Sequence, residues 1–115
     1  ALLGAAGLGD IGRHFPDTDE GFRNISSLVL LERVKQLILA KGMRVTNIDV
    51  TVMMEKPKLA PHAAAMAANI AGILNISETA VNIKAKTNEG MGFVGREEGV
   101  AVMAIANGLE RIKNG

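Results

Sequence analysis

The sequence predicts an α/β fold of the two-layer, α+β kind: a mixed sheet with helices on one face. Three observations lead there. Two stretches alternate apolar and polar residues with the period of a strand, two others place apolar residues at helical spacing, and strand–helix–strand order recurs along the chain without an internal repeat. At 115 residues the chain has room for one hydrophobic core and not for two, so residues 1–115 read as a single domain.

In chain order, Ala1 to Leu8 is apolar and rich in small residues, which suits the last turns of a buried helix ending on a left-handed cap at Gly9. With neither an initiator Met nor a basic flank, this opening reads as a helix cut in its middle, not as a signal peptide. The run from Asp10 to Asp19 has no sustained period but carries Pro-Asp turn chemistry and three carboxylates, so it reads as an ordered or binding loop. Asp17 and Asp19 there suit Asx-turns or helix caps, and Phe15 suits an anchor onto the core. Ser26-Ser27 ahead of Leu30, Leu31, Val34, Leu37 and Ile38, closed by Lys41-Gly42, predicts a capped amphipathic helix.

From Arg44 the period changes to two. Ile48, Val50, Val52 and Met54 alternate with Asn47, Asp49, Thr51 and Met53 until Pro57 ends the strand. Lys56 to Pro61 is a stiff loop, and Pro61 suits the first turn of a second helix. That helix runs to about Leu74, with Met66, Ile70, Ile73 and Leu74 on one stripe and alanines that let it lie close to a sheet. Asn75 to Ala80 is a turn capped at Ser77. Val81, Ile83 and Ala85 then alternate with Asn82, Lys84 and Lys86 in a second strand. Val100 to Ile112 fits two periods: Val102, Ile105, Leu109 and Ile112 suit a helix, whereas near-continuous apolarity to Ala106 suits a strand buried on both faces. So small a sheet leaves its other face open, and a hydrophobic content of 48% predicts that further copies of the chain cover it.

Composition narrows the function classes. Thirteen basic and twelve acidic residues leave a net charge of +1, which excludes a broad electrostatic footprint for nucleic acid or an anionic membrane. The absence of cysteine excludes disulfides, thiolate metal sites and Cys nucleophiles, so zinc would need His and carboxylates. No apolar run approaches the roughly 20 residues of a membrane span, and the chain reads as soluble. The richest stretch is Lys86 to Arg96, which holds three glycines among polar and charged groups. Glycines bring backbone N–H groups close to a ligand, while Thr87, Glu89 and Arg96 supply a hydroxyl, a metal-ligating carboxylate and a fork-shaped anion clamp. A phosphate and a hard cation fit such a loop; a glycine-rich hairpin with solvated charges fits it equally.

ALLGAAGLGDIGRHFPDTD at residues 1–19, AKGMRVTNIDVTVMMEKPKLAPH at 40–62 and VNIKAKTNEGMGFVGREEG at 81–99, in this order and spacing, resemble the 2-C-methyl-D-erythritol 2,4-cyclodiphosphate synthase family over essentially the whole chain. The resemblance implies a homotrimer whose sheets pack around a central core, with active sites between neighbouring subunits, and a strand for the final segment. It implies a lyase of non-mevalonate isoprenoid biosynthesis that cyclises 4-diphosphocytidyl-2-C-methyl-D-erythritol 2-phosphate and releases CMP. A nucleotide- or phosphate-binding trimer without catalysis is the alternative.

By the same resemblance Asp10, Ile11 and Gly12 hold the methylerythritol hydroxyls, beside a substrate loop of Phe15, Pro16, Asp17, Thr18 and Asp19. Met54, Glu55, Lys56, Pro57, Lys58, Leu59 and Ala60 form the cytidine pocket. Lys86, Thr87, Asn88 and Glu89 form the phosphate and metal segment, in which Thr87 orients the diphosphate and Glu89 ligates Mg²⁺ or Mn²⁺; Phe93 and Arg96 add substrate contacts. The family's Zn²⁺ ligands, an Asp-x-His motif and a further His, fall in a segment that would precede Ala1. The resemblance therefore implies an N-terminally truncated domain, with His14 and His62 in no ligand position. It also implies the bacterial cytoplasm, or a plastid or apicoplast, and a trimer core able to hold an isoprenoid diphosphate.

Overall fold

Stretches of strand period form strands and stretches of helical spacing form helices, in the expected order. The computed structural model describes residues 1–16, 21 and 25–111. Its elements are α1 (Leu2–Ala5), α2 (Ile11–His14), α3 (Ser27–Ala40), β1 (Met43–Met53), α4 (Ala63–Leu74), β2 (Val81–Lys86), α5 (Gly92–Gly95) and β3 (Ala101–Glu110). Short 3₁₀ turns at Ala60–His62 and Glu78–Ala80 lead into α4 and β2. The sheet has the order β2-β1-β3, with β1 parallel to β2 and antiparallel to β3. It is therefore mixed, and α4 is the crossover that parallel pairing requires.

The alternation read from Ile48 onward holds, with Ile48 and Val52 buried. Met43 and Val45 are buried too, although they lie out of phase with Ile48. A bulge between Val45 and Asn47 explains this: one extra residue resets the pleat, so both halves of β1 turn their apolar side chains toward the helices.

Capping signals decide where the helices stop. The Ser26 hydroxyl accepts the Leu28 N–H at 3.2 Å and opens α3, whose Val34 and Ile38 are buried. The first helix ends earlier than its sequence indicates. Gly7, at φ 70°, takes the left-handed position, the Gly7 N–H donates to the Gly4 carbonyl at 3.1 Å and the Leu8 N–H to the Leu3 carbonyl at 2.8 Å. That is a Schellman closure with Leu3 and Leu8 both packed on the core, so Gly7 and not Gly9 is the cap. In α4 the core stripe is rotated from the expected one. Ala67, Ile70, Ala71 and Leu74 pack inward, while Met66 and Ile73 are only half-buried and stand outside the core cluster. Ala71, 2% exposed, is buried on that stripe, where a small side chain lets the helix lie close to the sheet.

The final segment is a strand, which resolves its two readings. Burial on both faces is not met within one chain, because α3 and α4 pack over β1 and β2 and leave β3 largely outside the helix layer: Val102, Met103 and Ile105 are 59%, 65% and 62% exposed. On the sheet face away from the helices, Asp49 accepts from Lys84 Nζ at 3.0 Å and from Asn82 Nδ2 at 3.2 Å. These two donors hold the Asp49 carboxyl below its ordinary value. A depressed carboxyl stabilises the fold above its unfolded-state pKa, near 3.9, and loses that contribution as pH falls through the folded value. Urea unfolding across pH should therefore show a flatter acid limb below about pH 4 for Asp49→Asn than for the parent protein; an unchanged limb would show that Asp49 does not contribute to it.

Candidate active site

Strand pairing gathers the loops. Met53 pairs with Lys86 on one side and Ala101 on the other, so β1 and β2 end, and β3 begins, at the same edge of the sheet. Residues 54–60, 87–91 and 96–100 consequently leave one end together, the usual place for ligand sites on parallel strands. The Met54 N–H donates to the Lys86 carbonyl at 2.9 Å, one residue beyond β1.

In the 54–60 segment Lys56, Pro57, Lys58 and Ala60 are exposed, whereas Met54, Glu55 and Leu59 are half-buried. The Lys56–Pro57 peptide is cis. Lys56 Nζ lies 3.6 Å from Glu97, an exposed pair that joins this loop to the one after α5 and adds little stability.

The 86–96 segment is a built loop. The Asn88 carbonyl accepts the Met91 N–H at 2.9 Å, and the central residues Glu89 and Gly90 have φ 53° and 80°, the signs of a type I′ turn. A left-handed glutamate costs about 1 kcal/mol, so the turn needs support, and two contacts provide it. Glu55 Oε1 accepts the Asn88 N–H at 2.8 Å and the Gly90 N–H at 3.5 Å. On the other side Gly95 backs onto Gly90 so closely that a Cβ at 95 would stand 2.1 Å from the Gly90 carbonyl carbon. Thr87 Oγ1 accepts the Glu89 N–H at 3.4 Å. Lys86, Thr87 and Glu89 are exposed and Asn88 is half-buried.

Phe93, 51% exposed, lies over Gly99, where a Cβ would come within 3.3 Å of its ring. The Arg96 guanidinium is engaged by Glu98, with Nε donating to Oε1 at 2.7 Å and Nη2 to Oε2 at 3.3 Å. An incoming anion would share or displace that exposed pair.

The Asp10 group stands elsewhere in the chain. Asp10 Oδ1 accepts the Arg13 N–H at 2.9 Å and caps α2, with Ile11 and Gly12 exposed. His14 Nε2–H donates to the Leu8 carbonyl at 2.6 Å, a structural contact. Phe15 is half-buried against the core, as an anchor should be, and Pro16 is exposed; Asp17, Thr18 and Asp19 lie outside the described residues. Asp10 and Ile11 border an apolar hollow of about 570 Å³ between α1, α3 and Ala104 of β3. No hydrogen bond or ion pair among the described residues joins Asp10, Ile11 or Gly12 to the loops at the sheet end.

Among the described residues no three His, Asp or Glu side chains sit close enough together to hold a metal ion, so they do not fit a zinc centre. Glu89 fits a different demand, since a Mg²⁺-like ion takes one or two carboxylates and fills the rest of its shell from phosphate and water. The family resemblance puts Glu55 in the nucleotide pocket, while the sequence reading counts Gly95 only among the loop's glycines and says nothing of Glu98. No local signal could tie residue 55 to residue 88, because their contact follows from parallel pairing across 33 positions. The expected consequence of Gly95→Ala is displacement of the 88–91 turn, a destabilisation of about 1–3 kcal/mol and faster amide exchange confined to Asn88–Met91; exchange as slow as in the parent would show that the turn tolerates the methyl.

The comparisons agree with this architecture. The YgbB family matches residues 1–108. The chain is 58% identical over 106 residues to the bifunctional enzyme IspD/IspF of Anaeromyxobacter dehalogenans, covering 92% of this chain and 28% of that protein. It is 56% identical over 105 residues to 2-C-methyl-D-erythritol 2,4-cyclodiphosphate synthase of Bordetella avium, covering 91% of this chain and 65% of that protein. Among solved structures, the CDP complex of IspF from Plasmodium falciparum superposes with a TM-score of 0.83 at 29% identity, covering 96% of this chain and 66% of that one. The chain thus spans less than two thirds of these relatives, and over that span it belongs to the YgbB family.

Proposed function

We propose that the protein carrying this chain cyclises 4-diphosphocytidyl-2-C-methyl-D-erythritol 2-phosphate to 2-C-methyl-D-erythritol 2,4-cyclodiphosphate. The observation that carries this reading is the convergence at one sheet end of the 54–60 loop with the braced Thr87-Asn88-Glu89 turn, in a chain 56% identical to a synthase of that name. The CDP bound to the Plasmodium relative supports a cytidine nucleotide as the ligand of Met54 and residues 56–60, with the Glu55 carboxylate turned instead toward the Asn88 N–H. With no Trp or Tyr in the chain, backbone groups and close fit would recognise the base.

In this reaction an oxygen of the 2-phosphate attacks the β-phosphorus. The bond from that phosphorus to the bridging oxygen breaks, and CMP departs with the electron pair. Such transfers need in-line positioning and neutralised charge more than covalent help. Thr87 would donate its hydroxyl to the diphosphate, Lys86 and Arg96 would balance its charge, and Phe93 would close over the substrate. A divalent cation, when bound, supplies charge neutralisation across the phosphates, and Glu89 is the carboxylate that would hold it. Zinc is assigned to none of the described residues and carries no step here.

Asp10, Ile11 and Gly12 would hold the diol from a neighbouring copy. The exposed apolar side chains of β3 and the lack, among the described residues, of any hydrogen bond or ion pair between Asp10 and the 87–91 turn support a homotrimer with shared sites, and its apolar interior is where an isoprenoid diphosphate would lie. No helix among the described residues is long and apolar enough to cross a membrane. The test is CMP release from the cytidyl substrate by the intact protein with Mg²⁺ or Mn²⁺. Thr87→Ala should lower turnover about 10²–10³-fold, as loss of one transition-state donor does, and Glu89→Ala should lower it sharply with a raised metal requirement. An intact protein that binds CDP but releases no CMP would overturn the enzymatic reading.

A further inference from the structure

We propose that Glu55 is a positioning residue: its carboxylate fixes the geometry of the Thr87–Glu89 turn and does not contact the nucleotide. Three observations converge on it. Glu55 lies two residues beyond β1 in the segment assigned to cytidine, but its Oε1 is directed across to the neighbouring loop, at 2.8 Å from the Asn88 N–H and 3.5 Å from the Gly90 N–H. Those donors flank Glu89, whose φ of 53° is one that L-residues rarely adopt without support. Glu55 is half-buried while Thr87 and Glu89 are exposed, so the brace lies beneath the turn and the reactive groups lie on top.

The chemistry of the brace follows. N–H groups that point into one concavity form a ready anion site. In this loop the concavity is already filled by a carboxylate of the same chain. The substrate phosphates are thereby left to the Thr87 hydroxyl and to the charges of Lys86 and Arg96, and cannot settle into the turn from below. A Gln at 55 keeps an Oε1 acceptor of the same reach and should preserve the turn. An Asp keeps the charge but is one methylene short, and should fail much as Ala does. Geometry, not charge, is what position 55 supplies.

This inference rests on the cyclisation reading for its kinetic arm alone. In the intact protein, Glu55→Ala and Glu55→Asp should lower kcat for CMP release tenfold or more while KM and CDP affinity change less than threefold. Glu55→Gln should retain most of kcat. Amide exchange at Asn88 and Gly90 should quicken in the Ala and Asp variants and remain slow in Gln, a readout that needs no turnover. If Ala proves too unstable to assay, Asp and Gln make the same comparison. A rise in KM or in the CDP dissociation constant at unchanged kcat would make Glu55 a nucleotide contact and overturn the proposal, as would unchanged exchange at Asn88 and Gly90. If the parent protein releases no CMP, the cyclisation reading falls, and the brace stands or falls on the exchange result.

Discussion

Among the described residues β1 is the strand that pairs with both others, and the rest of the fold depends on that double pairing. It must satisfy a parallel ladder on one side and an antiparallel ladder on the other while keeping a single apolar face against α3 and α4. Eleven residues in strict alternation would satisfy it, but Met43 and Val45 are out of step with Ile48 and Val52. The bulge after Val45 reconciles the two segments at the cost of one disturbed ladder position. Once that is set, the ends of all three strands are set as well.

The proposed function is built on those ends. Because Met53 stands between Lys86 and Ala101, the 54–60 segment, the 87–91 turn and the loop after α5 emerge side by side. Rigidity comes from contacts between them more than from burial. A carboxylate holds the turn from one side, a glycine–glycine approach holds it from the other, and the exposed Lys56–Glu97 pair joins the 54–60 loop to the one after α5. A phosphoryl transfer that relies on positioning requires such preorganisation, since misplacement of the reacting groups is costly.

The single chain also leaves needs that it does not meet itself. β3 presents large apolar side chains on both faces, far more than an edge strand normally exposes. No hydrogen bond or ion pair among the described residues joins Asp10 to the turn it would serve. One arrangement, the proposed trimer, would answer both needs, because the same association that covers β3 would bring a neighbour's Asp10 toward the sheet end.

Local patterning determined most of the fold: helix α3 with its Ser26 cap, the alternation from Ile48, the Ser77 turn and the second strand are each decided within one window of sequence. Motif order likewise identified the family and pointed to Thr87 and Glu89. What only the tertiary structure decided are the features that join distant windows. The bulge that resets β1, the choice of Gly7 over Gly9 as cap, the rotation of the α4 stripe onto Ala71 and the exposure of β3 all depend on which neighbour packs where. The reach of Glu55 to Asn88 belongs with them. Composition and spacing report what a residue can do, and only strand pairing brings positions 55 and 88 within one hydrogen bond of each other.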